Sequence, residues 1–575
     1  MNALAIGAEP WSLTVAVEGA PERLDRALAE NVRAFLSIQM LADESNGEGV
    51  EPLTQARIRR AHKQASEEIR QALMPFGYYN TVIESSLNRT ERAYVARYLV
   101  EPGPPTTIQT VNVSVQGSAE SEPLVQSTLA GISLKRGQRL RHDRYETSKQ
   151  QLLEVVYGLG YLDARYTRAE LRVQPSRQTA DVQLQLTSGE RYFFGDFELV
   201  QNILNPKFAA RFVQIQPGEP FDARRLIDLQ LKLGDTDYFS DVEVRTDKAE
   251  AVENRVPVTI ETAPQKSQRY SVGAGFGTDT GARIKLGTEF RRLNRRGHQF
   301  SANIQASEIR NTVAAEYRIP IKDVTRDRYR VFARLDEAEV GDADTDQFSI
   351  GVRREEDWLG MRRQLYFKYD GENFSFGDEP TQQSRLLIVG ASLGFQWADD
   401  TLFSRRGLSV TLDVHGGAES RASETTFVQS KAAARAVWPL GKRGRLLLRG
   451  EAGLTEADNF DSLPPGERFF TGGDRSVRGY AFESLSPENA AGDDIGGSHL
   501  TVVSAEVDYL VKGNFGLAAF FDYGGASDDF GKDLHSGVGI GLRYRSPVGM
   551  IRVDLAHPLD DETDVRLHLS LGPDL

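Results

Sequence analysis

The 575-residue chain is too long for one compact domain, carries a formal net charge of -13 and contains no cysteine. Disulfides, thiol catalysis and Cys-based zinc or iron–sulfur centres are therefore excluded, and basic residues interspersed among acids lack the clustered positive field that a nucleic-acid partner needs. The eight histidines show no H-E-x-x-H or other paired metal-ligand spacing, so neither a metal nor another cofactor is expected.

No segment approaches the run of about 20 apolar residues that a membrane-spanning helix requires. A transmembrane barrel remains compatible with the mean hydropathy of -0.42, because its strands of about 9 to 11 residues are apolar on one face only. The opening "MNALAIGAEPWSLTV" lacks a basic region followed by a long apolar core, so no complete signal peptide is read there. An exported protein beginning this way is expected to be a mature or trimmed form.

The first part of the chain, to about residue 265, carries a repeat of about 80 residues, a length suited to small α+β modules. In the first copy Ile58, Ala61, Ala65, Ile69 and Leu73 fall at helical spacing, followed by Gly77-Tyr78-Tyr79-Asn80 and a strand. The second has Leu152, Val156 and Leu159 before Gly160-Tyr161-Leu162-Asp163, and the third has Leu226, Leu229 and Leu233 before Tyr238-Phe239-Ser240-Asp241. Strand-like openings, "TTIQTVNVSVQG" and "RYFFGDFELVQ", lead into the second and third copies. Two roles stay open for such modules: simple packing units, or sheets whose free edges capture an extended client by strand addition.

After "ETAPQKSQRYSVGAGFGTDTG" the period becomes two and stays so to the end. Val503, Ala505, Val507 and Tyr509 share one face, and Ser504, Glu506 and Asp508 the other. Phe515, Leu517, Ala519, Phe521 and Tyr523 oppose Gly516, Ala518, Phe520 and Asp522, and Val565, Leu567, Leu569 and Leu571 oppose Arg566, His568 and Ser570. Very short connections such as "SPVGM" alternate with longer ones, the asymmetry expected of an outer-membrane barrel. Residues 266–575 accommodate about 16 antiparallel strands, an even number that can close.

Within this half, Glu506 and Asp522 are expected to face the lumen from neighbouring strands, while the long connection from about 456 to 498 carries Arg478 between Val477 and Gly479. A guanidinium beside a glycine that permits close backbone approach is able to enter the lumen and pair with both acids. The alternative is an ordinary surface loop with glycine turns. "GASLG" at 390–394 matches G-x-S-x-G, but Ser392 sits in an alternating run without the required turn into a helix. With no catalytic constellation, the protein is not expected to be an enzyme. "NRRGHQF" at 294 and "SRRGLSV" at 404 read as related tight turns, or as contacts to anionic headgroups.

"RFFTGGDRSVRGYAFESLSP" resembles the conserved loop of the BamA/TamA-like family of POTRA-barrel outer-membrane assembly factors, through Val477-Arg478-Gly479-Tyr480. Glu506 in "VSAEVDYLV" and Asp522 in "FFDYGG" match the family's acids that hold this arginine, and "GVGIGLRYRSPVGMIRVDLAHPL" is similar to its penultimate strand pair. The resemblance implies three α+β POTRA modules, at 1–101, 102–188 and 189–264, followed by an all-β transmembrane barrel at 265–575. The number of modules favours the TamA-type branch. It further implies location in the bacterial outer membrane with the modules in the periplasm, and a TamB-like inner-membrane-anchored partner. Clients would be unfolded outer-membrane proteins or autotransporters, inserted through a lateral seam beside which the outer-membrane lipid, a further partner, is thinned. That seam would lie between Tyr270, Val272, Gly273, Ala274, Gly275 and Phe276 of the first strand and Leu567, Leu569, Leu571 and Gly572 of the last. Its glycines would weaken the seam, or simply make room in the lumen. A two-partner-secretion export pore and a phospholipid transporter are the alternatives. One departure is the ending Gly572-Pro573-Asp574-Leu575 in place of a terminal aromatic, which predicts a last strand that stops early or kinks.

Overall fold

A computed structural model describes residues 12–19, 26–44, 53–91, 93–322, 325–547, 549–560 and 565–572. The first module contains β1 (Ser12–Glu18), α1 (Arg26–Phe35), α2 (Ser37–Glu44), α3 (Gln55–Leu73), β2 (Val82–Arg89) and β3 (Ala93–Glu101), with sheet order β1-β3-β2. Thr54 caps α3 by accepting the Arg57 N–H at 3.3 Å, and the anticipated stripe of Ile58, Ala61, Ala65, Ile69 and Leu73 is buried. It packs in one core with Tyr94, Ala96, Tyr98 and Val100, which alternate along β3.

The second module repeats the plan with β4 (Thr107–Gln116), α4 (Pro123–Gly131), α5 (His142–Gly158), β5 (Arg165–Gln174) and β6 (Thr179–Thr187), ordered β4-β6-β5. The third has β7 (Phe193–Val200), α6 (Pro206–Ala209), α7 (Ala223–Gly234), β8 (Phe239–Thr246) and β9 (Arg255–Pro264), ordered β7-β9-β8. Two compact units result: residues 1–198, 215–228 and 245–259 form one, and residues 199–214, 229–244 and 260–575 the other.

The Gly-Tyr marker of the repeat is a joint. The carbonyl of Gly77 accepts the Thr106 N–H, and that of Gly160 accepts the Tyr192 N–H, each at 2.8 Å. The next module then folds back in the same way, Leu140 N–H donating to Thr106 O and Phe221 N–H to Tyr192 O. Both glycines adopt positive φ, 89° and 90°, and a Cβ on Gly160 would lie 2.7 Å from the Phe221 carbonyl. In the third copy Asp237 takes the left-handed conformation, φ 61°.

The barrel is a 16-stranded antiparallel sheet, matching the anticipated number. Its strands are β10 (Gln268–Gly277), β11 (Gly281–Phe290), β12 (Gln299–Ser307), β13 (Arg310–Pro320), β14 (Arg328–Val340), β15 (Ala343–Trp358), β16 (Met361–Phe376) and β17 (Gln382–Ala398). They continue with β18 (Gly407–Gly417), β19 (Phe427–Leu440), β20 (Gly444–Ala457), β21 (His499–Lys512), β22 (Phe515–Ser527), β23 (His535–Ser546), β24 (Gly549–Pro558) and β25 (Arg566–Gly572). Each strand pairs with its sequence neighbours, and a two-residue alternation sends apolar side chains outward: Val503, Tyr509, Leu517 and Ile540 are exposed while Glu506, Asp508, Asp522 and Asp554 are buried. An apolar exterior around a polar interior is the pattern of a chain whose outer solvent is hydrocarbon.

The expected alternation of short and long connections is only partly present. Tight turns at 278–280, 308–309 and 341–342 occupy the same end as the longest connection, 458–498, so the asymmetry is concentrated in that one segment. Its length is explained by where it goes, because it does not stay outside. The two Arg-Arg-Gly segments are both turns: Asn294 Oδ1 accepts the Arg296 N–H at 2.9 Å, and Asp399 Oδ1 accepts those of Arg405 and Arg406. At the first, Tyr238 donates its hydroxyl to the Gly297 carbonyl at 2.5 Å and the Asn205 N–H reaches the Arg295 carbonyl at 2.7 Å. The residues after Gly572 lie outside the described residues.

Candidate functional site: the lumenal loop and the seam

The 458–498 connection folds into the barrel and is anchored at two places. At the first, Glu467 accepts from Lys368 Nζ at 3.2 Å and pairs with His415 Nε2 at 2.8 Å, while its carbonyl accepts from Gln429 at 2.8 Å. Arg468 ties the loop to itself through the carbonyls of Leu463, Ile495 and Asp461, its guanidinium set between the rings of Phe376 and Phe460. Nothing in the sequence marks Glu467, since its partners come from β16, β18 and β19.

The second anchor is Arg478. Its Nε and Nη2 form a fork on Asp522, at 2.7 and 3.0 Å, and its backbone N–H donates to the same carboxylate at 3.1 Å. Nη1 donates to Glu506 at 2.7 Å and to Asp554 at 3.0 Å, and the guanidinium carbon lies 3.3 Å from the centre of the Phe520 ring. Bidentate, charge-assisted bonds of this type fix orientation as well as position. Asp522 is fully buried, and Ser504 on the neighbouring strand donates to it at 2.6 Å. Glu506 and Asp522 thus converge on one arginine. Val477 and Tyr480 are buried beside it, and Gly479 has φ 103° with its Cα so close to β24 that a Cβ would lie 2.9 Å from the Pro558 nitrogen.

Sequence reasoning missed half of this network. Arg543 on β23 donates to Glu506 at 2.7 Å and pairs with Asp554, and Arg445 donates to Asp508 at 2.5 Å. Arg543, Asp554, Arg445 and Asp508 are polar-face residues of alternating strands, but their mutual distances depend on ladder register and barrel curvature. The register is Ser504 opposite Asp522 and Arg543 opposite Arg552. Buried charges at this density persist because each is paired and hydrogen-bonded.

The seam lies where the sheet ends. β10 pairs only with β11 and β25 only with β24, and among the described residues no ladder joins β10 to β25. The two are joined instead through the loop and one threonine. The Leu569 N–H donates to Thr278 Oγ1 at 3.0 Å, and Thr278 donates to Asp474 Oδ1 at 3.1 Å. The same Asp474 oxygen bonds His568 Nδ1 at 2.6 Å, and Asp474 N–H donates to Asp279 Oδ2 at 2.7 Å. His568 Nε2 accepts the Gly479 N–H at 3.0 Å, which places the ring proton on Nδ1.

Asp279, Asp474 and His568 therefore converge within ligand-like distances that sequence spacing concealed. Both ring nitrogens are occupied by protein hydrogen bonds, so the trio acts here as a strap across the seam. Along the rest of the first strand, Tyr270, Val272 and Phe276 are exposed, as are Leu567 and Leu571 of the last. Leu569 is half-buried, while Gly273 and Ala274 are exposed and Gly275 half-buried. Gly273 and Gly275 share the face of Arg269 and Ser271, and Gly275 stands opposite Arg283 of β11. Gly572 ends β25 opposite Met550.

Comparison with known proteins gives this architecture a family. The Omp85 superfamily domain model matches residues 292–574, and the model described as POTRA domain TamA domain 1 matches residues 14–102. The barrel half belongs to the Omp85 superfamily. A relative, outer membrane protein assembly factor BamA of Nitratidesulfovibrio vulgaris Hildenborough, is 24% identical over 527 residues, 86% of this chain and 64% of the relative. The chain thus spans somewhat under two thirds of that protein's length. The crystal structure of BamA from Haemophilus ducreyi lacking POTRA domains 1-3 superposes with a TM-score of 0.67 at 14% identity, covering 81% of this chain and 99% of that one. CdiB from Acinetobacter baumannii gives 0.45 at 12% identity, over 82% and 90%. The fold is accordingly POTRA-like α+β modules followed by an Omp85 barrel.

Proposed function

We propose that this protein is an outer-membrane assembly factor of the TamA type. With a TamB-like periplasmic partner it helps unfolded barrel proteins or autotransporters enter the membrane through the seam between β10 and β25. The observation that carries the reading is the edge of β10, which has no ladder partner among the described residues. A strand edge without a ladder partner is a template for an incoming strand, and every backbone group must find a partner in hydrocarbon. The three small sheets and the match of 14–102 to a TamA-type POTRA domain support this branch. No bond chemistry is required, and none is assigned.

The test uses the Cys-free background. Cysteine is placed at Ala274 and at Leu569, with neighbours scanned for register, and client assembly into vesicles is scored with and without reductant. Assembly that stops on crosslinking and resumes on reduction is expected. Efficient crosslinking with assembly unaffected would overturn the reading in favour of a channel or scaffold.

A further inference from the structure

A cavity of about 260 Å³ lies in the lumen beside Arg478, with part of its wall formed by Ser570, Leu571 and Gly572 of β25. Five arginines line it: Arg435, Arg449, Arg475, Arg478 and Arg552. The acids on the same wall are already engaged. Glu506 and Asp554 hold Arg478 and Arg543, and Asp474 holds His568.

Of the remaining arginines, Arg449 is the under-compensated one. Arg435 of β19 stands directly opposite Arg449 of β20, a like-charge cross-strand pair that costs stability unless an anion lies between the two. Arg449 spends its terminal nitrogens on the carbonyls of Arg475 and Ser476, leaving Nε buried with no acceptor. Its nearest carboxylate, Asp522 at 3.9 Å, is already forked by Arg478. The side chains of Arg435 and Arg475 carry no hydrogen bond or ion pair among the described residues, and Arg552 donates to the Gly572 carbonyl at 3.4 Å among other interactions.

We propose that this cavity binds a phosphate group. Guanidinium groups approach from β19, β20, β24 and the loop, which suits the several oxygens of a tetrahedral oxyanion better than the two of a planar carboxylate. The volume accommodates a headgroup and no acyl chain. Because Ser570, Leu571 and Gly572 of the last strand form part of the wall, a lipid phosphate would enter from the bilayer through the seam, and free phosphate through the lumen. The site goes beyond protein assembly and depends on that reading only for the lipid source.

The experiment is calorimetric titration of the full chain in uncharged detergent with inorganic phosphate, with acetate as the comparison anion, followed by competition with a short-chain phosphatidic acid. Phosphate is expected to bind saturably and more tightly than acetate. Arg435→Gln and Arg475→Gln are each expected to weaken it about tenfold, as loss of a charge-assisted bond does. Arg435→Lys is expected to recover part of the affinity, which separates a ligand contact from damage to the fold. Competition by the short-chain lipid assigns the source as a headgroup, and phosphate binding without such competition assigns it as free phosphate. Affinity no greater than for acetate, or unchanged in both glutamine variants, would overturn the site.

Discussion

The arm modules and the barrel bury opposite materials. In the first two modules the interior is aliphatic and aromatic, as at Ile58, Ile69, Tyr98, Leu152, Val182 and Leu184, whereas the barrel encloses Arg478, Arg543, Glu506, Asp522 and Asp554 and turns its aliphatic side chains outward. The lesson concerns what a single truncation does. In the arm it leaves a void; in the barrel it leaves a buried charge without its partner. The second is costlier and depends on chemistry more than on volume.

The sharpest way to break the contrast is Arg478→Ala, which strips a partner from three carboxylates at once. A loss of about 3 to 5 kcal/mol is expected in denaturant unfolding of the reconstituted barrel. Arg478→Lys should recover only part of it, because an ammonium cannot fork onto Asp522 while reaching Glu506 and Asp554. A smaller loss for alanine than for Leu152→Ala would contradict the comparison. Leu152→Ala should cost about 2 to 5 kcal/mol, felt as faster hydrogen exchange in the second module and not in the barrel.

Next comes Gly160→Ala, where a side chain must take positive φ against the Phe221 carbonyl. About 1 to 3 kcal/mol is expected, read as increased proteolysis at the joint. Thr278→Val removes the hydroxyl that links Leu569 to Asp474, so the open-to-closed ratio of the seam should rise about two- to tenfold, measured by spin-label distances across it. The smallest effect is that of acid on the arm. His142 Nε2 bonds the Tyr79 hydroxyl at 2.6 Å, and burial holds its imidazole below the ordinary value of 6.5. The unfolded chain then binds the proton more readily. The contribution is complete above pH 6.5 and is lost as pH falls through the lowered value. Protease sensitivity at this joint should therefore rise on acidification in the native protein, and His142→Gln should flatten the dependence.

Much of this was legible before the fold was seen, for reasons that differ between the halves. The helical stripe of Ile58 to Leu73 and the alternation around Val503 and Leu517 follow from local periodicity, which needs no tertiary information. Arg478, Glu506 and Asp522 were legible because a motif and a strand face agreed. Asp554 and Arg543 fall on the polar faces of alternating strands, but alternation does not mark them as partners, since register across four strands decides who meets whom. The strap was hidden entirely. Thr278 and His568 lie at opposite ends of the barrel sequence, and only curling of the sheet brings Asp474 between them. Glu467 escaped for the same reason.

The strap has a further consequence. Gly479 gives its N–H to the last strand, and Asp474, in the same loop, holds both that strand and the turn after the first. Loop position and edge separation are then linked variables, and linkage is reciprocal. If a client binds the edge as proposed, whatever free energy it gains by prying the edges apart must reappear as a loosened hold on the loop, and a ligand that draws the loop outward would raise the affinity of the edge for that client by the same factor.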